Sequence, residues 1–283
     1  MKIMTNQQTT TNLFSHIRSV YPSLTKTEKK VADIVLDEPA VVMYASITDL
    51  AEKAAIGESS VLRFCRSVGY KGFQDFKIAL AQSVTTELEN TSPSMDSRIE
   101  ELTEKNKRLL QDTAGLLSET EIDRSAKLLL NSKRILFFGV GSSGTTAQNA
   151  HFRFLRLGLP VEVVTDAHLG SVKASLLSSE DVIVVFSVSG STVDSVDVAQ
   201  IAHEKGTKVI VTTSHVKSPA TKYADVVLLS ASREKPTEGS AFSSIIAQLH
   251  IMEILFDSIF SMMGKRAQES MELTAKASSR KLY

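Results

Sequence analysis

The chain has 283 residues, of which 42% are hydrophobic and 23% are charged, an ordinary globular composition that is sufficient for two domains. Its 32 lysines and arginines balance its 32 aspartates and glutamates, so no net charge draws the whole chain to nucleic acid, and nucleic-acid binding would need a local patch. The single cysteine, Cys65, excludes an internal disulfide, and the six histidines lack metal-ligand spacing, so we expect neither a metal site nor a cofactor.

No segment of the sequence predicts targeting to a membrane or export. The first residues lack the hydrophobic core of a signal peptide. No uninterrupted run of about 18 apolar residues could span a bilayer. We therefore expect a soluble cytoplasmic protein that has no membrane partner.

The first elements are two helices. Leu13–Val20 reads as a helix that Pro22 closes. Thr25 followed by Glu28 fits a capping box, in which each residue satisfies a backbone N–H of the other, so a second helix should begin there. We expect this second helix to end before Pro39, because proline cannot continue a helix.

The next stretch predicts a helix-turn-helix. Residues 47–55 form a short amphipathic pattern, and residues 59–68 form a second one that Gly69 should stop. Ile56–Glu58 between them is a tight turn that contains Gly57. Two short helices joined by such a turn are the layout of a DNA-binding helix-turn-helix.

The second of these helices has a face suited to a major groove. Helical spacing places five polar residues on one face, namely Ser59, Ser60, Arg63, Arg66 and Ser67. The other side carries Val61, Leu62, Phe64, Cys65 and Val68. Hydroxyls can reach phosphates, and arginine can grip guanine through two hydrogen bonds. Residues 53–77 hold five basic residues against two acidic ones, and our candidate DNA contacts are Ser59, Ser60, Arg63, Arg66 and Lys71. The alternative is an ordinary solvated helical hairpin.

A polar stretch then separates two domains. Residues 83–97 are polar, lack aromatic residues and contain Pro93, which is typical of a linker. Beyond it we expect a long helix over 99–117. Ser118 and Glu121 predict a capping box for another helix that runs to about Leu130.

The remaining sequence predicts an α/β doubly wound, five-stranded parallel sheet. Five short apolar runs alternate with helical segments, one of which is residues 145–157, and both faces of each run are apolar. The strand runs are 135–138, 161–164, 182–186, 209–213 and 226–229. We expect the strand order 2-1-3-4-5, with ligands at the point where the chain reverses direction in the sheet. We expect residues 239–263 to form a long, mostly apolar helix that packs on the sheet or on a partner. Residues 218–223 should form a short helix.

Two Gly/Ser-rich loops follow the first and third strands, which are neighbours in that order. Gly139-Val-Gly-Ser-Ser-Gly144 and Ser187-Val-Ser-Gly-Ser-Thr192 each lead into a helix, whose first N–H groups favour an anion. The first loop also fits a dinucleotide-binding fingerprint, in which Asp166 would be the acidic residue that binds the ribose. A third interpretation is a tight strand-to-helix turn that binds no ligand. The hydroxyls after the third strand favour a sugar phosphate over a nicotinamide.

These two motifs resemble the sugar isomerase (SIS) domain. With the helix-turn-helix and Gly69-Tyr-Lys-Gly-Phe, residues 13–265 resemble RpiR-type bacterial transcriptional regulators. The resemblance implies that the phosphate and nearby oxygens of a sugar phosphate bind to Ser142, Ser143, Ser187, Ser189 and Thr192. Asp166-Ala-His168 departs from the usual Asp-Thr-His. Glu234 and Glu238 lie where SIS isomerases hold a base, but the surrounding residues do not match, so neither receives a role.

The sequence therefore predicts a regulator of sugar-metabolism genes rather than an enzyme. Residues 1–82 would bind double-stranded operator DNA, and residues 98–283 would sense the sugar phosphate and assemble as a homodimer or homotetramer, since one helix-turn-helix reads only a half-site. The alternative is a sugar-phosphate isomerase with an accessory helical domain. Its general base would be Glu234, Glu238 or His250.

Overall fold

The structure is a computed structural model that describes residues 13–85, 95–231 and 242–279. These residues divide into two compact units: the first comprises 13–85, and the second comprises 95–231 with 242–279. The predicted domain boundaries, with a linker at 83–97, remain a prediction. The buried side chains of the first unit form a hydrophobic core of their own, which shares no residue with the core of the second unit.

The first unit consists of six α-helices within the described residues. They are α1 (Leu13–Val20), α2 (Lys26–Asp37), α3 (Pro39–Tyr44), α4 (Ile47–Lys53), α5 (Glu58–Ser67) and α6 (Phe73–Thr85). Helix α5 packs against α2, α4 and α6, so three neighbours surround it. Its buried Phe64 meets Phe76 of α6 edge to face, at 5.5 Å between ring centroids.

Both ends of α2 confirm the signals in the sequence. Thr25 caps α2 and forms the predicted capping box with Glu28. Helix α2 ends at Asp37, before Pro39 as predicted, and Pro39 then opens the short helix α3 as its first residue. Proline suits that position, where its missing N–H would have had no helical partner.

The turn between α4 and α5 contains Gly57 as predicted, but it ends one residue earlier, because Glu58 is already the first residue of α5. The residue with left-handed backbone is Ala55, at φ 52°, whereas Gly57 has φ −81° and caps α5 in an extended conformation. The glycine is therefore not the residue that makes the turn possible. Gly69, at φ 92°, does end α5 as predicted.

The second unit contains the predicted parallel sheet. Its strands are β1 (Ile135–Gly139), β2 (Val161–Val164), β3 (Val182–Phe186), β4 (Lys208–Thr213) and β5 (Val226–Leu229). The order β2-β1-β3-β4-β5 is the one predicted. All four pairings are parallel, and the register places Gly139 beside Phe186, so β1 and β3 end side by side.

Helices cover both faces of this sheet. They are α7 (Met95–Leu116), α8 (Glu119–Asn131), α9 (Ser142–Leu155), α10 (Ala167–Ser175), α11 (Val193–Glu204), α12 (Phe242–Met263) and α13 (Lys265–Ser279). Phe137 of β1 packs in the core with α8, α9 and α12, whereas Phe138 packs in the core with α10 and α11. On the first face a buried hydrogen bond of 3.2 Å runs from the Thr146 hydroxyl to Oε1 of Gln248.

The structure departs from two predictions for this unit, and a third concerns residues outside the described ranges. Ser118 precedes α8, but its side chain makes no capping hydrogen bond, so the predicted capping box is wrong. The predicted helix over 218–223 is a short 3-10 turn at Ala220–Tyr223. Glu234, Glu238 and the predicted helix start at Gly239 lie outside the described residues.

Helix α12 is long and mostly apolar. By length and composition alone, it could cross a membrane. One side of the helix is fully buried against the sheet, through Ala247, Ile251, Leu255 and Ile259. The packing accounts for the apolar character of that side, as in the core helix of an α/β domain.

Candidate effector and DNA-binding sites

The loops after β1 and β3 meet at the point where the chain reverses direction in the sheet. Helix α9 begins at Ser142, three residues before the predicted start at 145. Ser142 and Ser143 therefore lie in the first turn of the helix and not in the loop before it. At Gly139, a Cβ would stand 2.6 Å from the carbonyl oxygen of Ser143, so only glycine permits this turn. Ser142 is exposed, and Ser143 is buried.

Asp166 has a structural role next to this loop. Its carboxylate accepts a 2.7 Å hydrogen bond from the backbone N–H of Leu169 and thereby caps α10. An aspartate at this position is explained by the helix it starts. The dinucleotide interpretation therefore loses its second supporting residue.

The loop after β3 carries the other three predicted effector residues. Ser187 is only 3% exposed, and its hydroxyl finds no hydrogen-bond partner among the described residues. The Ser189 hydroxyl accepts a 3.2 Å hydrogen bond from the Ser191 N–H, which shapes the loop. Thr192 is exposed and precedes α11 without making a side-chain cap. The loop thus presents hydroxyls beside the N–H groups that begin α11.

Ser218, in the segment after β4, is a residue that the sequence reasoning missed. It is 1% exposed, and within the described part of the chain its hydroxyl also lacks a partner. Gly190, at φ 60°, lies directly against it, because a Cβ there would overlap the Ser218 hydroxyl and stand 2.6 Å from the Ser218 Cβ. The Ala220 N–H donates to the Gly190 carbonyl at 2.9 Å and holds the two segments together. A lone Ser-Pro pair gave no sequence signal for this contact.

The opposite edge of the sheet holds an open cavity of about 770 Å³ at the amino ends of β3 and β4. Charged side chains line it, and several of them pair with one another or with neighbours, as Asp181 does with Arg134 at 2.7 Å. The Arg134 guanidinium, through its hydrogen bond, is the main cause of a lowered pKa of the Asp181 carboxyl. We assign no ligand to this cavity.

The predicted DNA-binding face of α5 is largely exposed. Ser59, Arg63, Arg66 and Lys71 all lie at the surface. Ser60 does not, since it is 6% exposed and its hydroxyl accepts a 2.8 Å hydrogen bond from Nη2 of Arg63. The solvent-exposed face is therefore narrower than predicted, because α5 packs against α2, α4 and α6.

Two buried side chains of this unit have shifted pKa values. Burial lowers the pKa of Lys77 to about 8, and its ammonium donates a 2.8 Å hydrogen bond to the Ala45 carbonyl. Burial also raises the pKa of the Cys65 thiol to about 12, which suppresses the reactive thiolate. Cys65 is fully buried in the helical core, as predicted.

Comparison with known families matches both units. The family described as "Helix-turn-helix domain, rpiR family" matches residues 11–87, and the "SIS domain" matches residues 128–258. An uncharacterized HTH-type transcriptional regulator of Haemophilus influenzae is 32% identical over 255 residues, which cover 87% of this chain and 88% of the relative.

The chain belongs to the rpiR family of helix-turn-helix transcriptional regulators. The predicted family resemblance is thereby confirmed, as is the predicted fold class.

Two further similarities extend the family assignment. A structure described as "The Vibrio vulnificus NanR protein complexed with ManNAc-6P" matches with a TM-score of 0.86 and 28% identity, over 96% of this chain and 99% of that one. A "Bifunctional protein glk" of Burkholderia thailandensis is 32% identical over 86% of this chain, which corresponds to 39% of that larger protein. The rpiR-type arrangement thus also occurs within a longer chain.

Proposed function

We propose that this rpiR-family regulator binds a sugar phosphate at the edge of the sheet where β1 and β3 end. The phosphate would lie on the first N–H groups of α9 and α11, between the hydroxyls of Ser142, Ser143, Ser187, Ser189 and Thr192. The observation that carries this proposal is the buried hydroxyl of Ser187, which lacks a partner among the described residues. A buried hydroxyl without a partner costs free energy that a ligand oxygen can recover. The bound ManNAc-6P of NanR supports a phosphorylated sugar as the ligand class.

The operator would be bound by the helical unit through α5. Arg63 and Arg66 would contact bases or phosphates, with Ser59 and Lys71 beside them on the surface. Ser60, the remaining predicted contact, would act through Arg63, whose guanidinium it already orients. A homodimer or homotetramer would bring two such helices to paired half-sites.

We propose a regulatory rather than catalytic role in the cytoplasm. The isomerase alternative needs a positioned general base. Glu234 and Glu238 lie outside the described residues, and His250 is half-buried on α12. An isomerase would convert the sugar phosphate that it binds, whereas a sensor would release it unchanged.

One experiment tests both halves of this function. Duplexes enriched by the wild-type protein from a random-sequence library serve as the operator, and a panel of sugar phosphates that includes ManNAc-6P is screened by thermal shift. Arg63→Ala and Arg66→Ala should each weaken binding to the enriched duplex by about 1–3 kcal/mol. Ser189→Ala should weaken binding of the sugar phosphate about ten-fold or more and leave operator affinity without ligand unchanged.

Reciprocal coupling gives the decisive comparison. Since coupling between two sites is a shared free energy, the Ser189→Ala protein should need correspondingly more sugar phosphate to shift operator binding. Ser175→Ala, on the exposed side of α10, is the matched control that should behave like wild type. Superimposed titrations of wild type and Ser189→Ala would refute the effector site, and turnover of the sugar phosphate would refute the regulatory role.

A further inference from the structure

The carboxylate of Glu28 ties the start of α2 to the end of α5. Its Oε2 accepts hydrogen bonds from the N–H and the hydroxyl of Thr25, at 2.8 and 2.7 Å, and so completes the cap of α2. Its Oε1 accepts a 2.7 Å hydrogen bond from the hydroxyl of Ser67, the last residue of α5. Glu28 is only 7% exposed. Each oxygen therefore serves a different helix, and the two helices meet at one buried charge.

The same carboxylate also acts on the arginine of the DNA-binding face. The hydrogen bond from the Thr25 hydroxyl is the largest cause of a lowered pKa of Glu28, and the positive charge of Arg63 lowers it further. Arg63 lies one turn before Ser67 on α5, and its guanidinium is anchored on the Ser60 hydroxyl. The negative charge behind Arg63 thus reduces the attraction that this part of α5 exerts on any phosphate.

We propose that Glu28 is a positioning residue that sets the sequence specificity of DNA binding by α5. It would do so by fixing the end of α5 through Ser67 and by offsetting the charge of Arg63. The inference rests on the proposed function, in which α5 contacts the operator. Base contacts need a helix held in place, whereas contacts to phosphates tolerate displacement and depend mainly on charge. Glu28 therefore favours the first kind of contact and weakens the second.

Three substitutions separate the roles of this carboxylate. Ser67→Ala breaks the link to α5 but keeps the charge and the cap of α2. Glu28→Gln removes the charge and disturbs the link. Thr25→Ala weakens the cap of α2 and removes one of the two hydrogen bonds to Oε2, but it leaves the backbone N–H bond to Oε2 and the Ser67 bond to Oε1 in place, so it is the control for loss of the cap with the link to α5 intact.

The test measures the affinity of each full-length variant for two probes over a range of salt concentrations. The first probe is a duplex enriched by wild type from a random-sequence library, and the second is the unselected library. Ser67→Ala should bind the enriched duplex about ten-fold more weakly, the worth of one good base contact, and bind the library as wild type does. Glu28→Gln should also lose affinity for the enriched duplex, but it should bind the library about two- to five-fold more tightly because a negative charge is gone.

Thr25→Ala should keep the wild-type ratio of the two affinities while its melting temperature falls. Equal weakening of both probes by Ser67→Ala would mean that its hydroxyl contacts phosphate, and the inference would be overturned. It would also be overturned if Ser67→Ala and Glu28→Gln kept the wild-type ratio. Should Glu28→Gln fail to fold by circular dichroism, Ser67→Ala alone decides.

Failure of the underlying function gives a different result. If the wild type enriches no sequence, or if Arg63→Ala and Arg66→Ala bind the enriched duplex like wild type, then α5 is not the recognition helix and the proposed function fails first. If those arginine variants lose affinity while the Glu28 and Ser67 variants do not, only the role of Glu28 is wrong.

Discussion

Serine hydroxyls serve opposite purposes in the two units. In the helical unit the hydroxyls of Ser60 and Ser67 are bonded within the protein, to Arg63 and Glu28. At the carboxyl edge of the sheet, the hydroxyls of Ser187 and Ser218 are buried and lack partners among the described residues. The first pair organises a surface that is complete without a ligand, whereas the second pair lies buried beside a proposed ligand site.

This contrast has an energetic meaning. A hydrogen bond made within the protein adds about 1 kcal/mol to stability, but a buried hydroxyl without a partner costs about 1–3 kcal/mol. We therefore expect this edge of the sheet to be less stable without a ligand than its packing alone would make it. A ligand that satisfies these hydroxyls recovers that cost, which adds to the stabilisation that mass action provides.

The largest expected effect is that of Gly190→Ala, which places a methyl group between the loop and Ser218. Left-handed backbone and the overlap with Ser218 should together cost about 3 kcal/mol of unfolding free energy and abolish ligand binding. Gly264→Ala, after α12, has a similar φ of 56° but no atom within 4 Å of the added Cβ, so its stability cost should be only about 1 kcal/mol. Chemical denaturation of both variants checks this. Equal costs would show that the loop does not rest on Ser218.

Ser187→Ala should separate stability from function. Removing a buried hydroxyl without a partner should raise the unfolding free energy of the ligand-free protein by about 1 kcal/mol. The same change should weaken binding of the sugar phosphate about ten-fold or more. Denaturation without ligand and titration with ligand measure the two effects. A loss of stability with unchanged affinity would mean that the Ser187 hydroxyl stabilises the protein, as those of Ser60 and Ser67 do, and does not bind the ligand.

Lys77 should make the stability of the helical unit depend on pH, because its ammonium group can lose a proton in a range where serine hydroxyls do not titrate. Burial lowers its pKa from the ordinary 10.5 to about 8, so the unfolded chain binds more protons between these values and stability rises with pH. From about pH 7 to about pH 9 the gain should be about 1 kcal/mol. Lys77→Met should abolish this gain, and the exposed Lys30→Met should not.

The window for this measurement is set by Cys65. The pKa of its thiol is raised by burial from the ordinary 9.0 to about 12, so above about pH 9 the unfolded chain loses this proton first and stability falls. Denaturation curves below that pH therefore isolate Lys77. A wild-type stability that is flat from about pH 7 to about pH 9 would argue against a buried ammonium at this position.

The smallest effects concern the turn between α4 and α5. Ala55→Gly should stabilise by a few tenths of a kcal/mol, up to about 1, because alanine is strained at φ 52°. Gly57→Ser should also stabilise, by about 0.5 kcal/mol, since φ −81° suits serine and its hydroxyl can accept a hydrogen bond from a free N–H at the start of α5. Melting curves test both variants. A destabilising Gly57→Ser would show that this position needs a backbone conformation that only glycine adopts.

The sequence predicted the sheet better than the turns. The bounds of β2, β3 and β5 agree with the apolar runs, because a strand buried on both faces leaves an unbroken apolar signal. The end of α2 before Pro39 and the place of Gly57 in a turn were predicted correctly, but the start of α3 at Pro39 and the start of α5 at Glu58 were not. Pro39 and Gly57 are each compatible with two local structures, and only tertiary packing chooses between them.

The candidate sites show the same limit. Helical spacing placed Arg63 and Arg66 at the surface correctly, but it could not reveal that Ser60 is buried, because the buried arc of α5 depends on how many helices surround it. The strand order predicted that the loops after β1 and β3 would meet. Ser218 escaped notice because its importance comes from a contact with Gly190, 28 positions away, that no local pattern encodes.

The side chains of β1 alternate between two separate cores, and this has a consequence for how mutations combine. Phe137 and Phe138 are adjacent in sequence but share no core, whereas Thr146 and Gln248 are 102 positions apart and share a hydrogen bond. Substitutions in the first pair should be nearly additive in free energy, and those in the second pair should be coupled. In this domain, thermodynamic coupling follows the faces of the sheet, and distance along the chain is a poor guide to it.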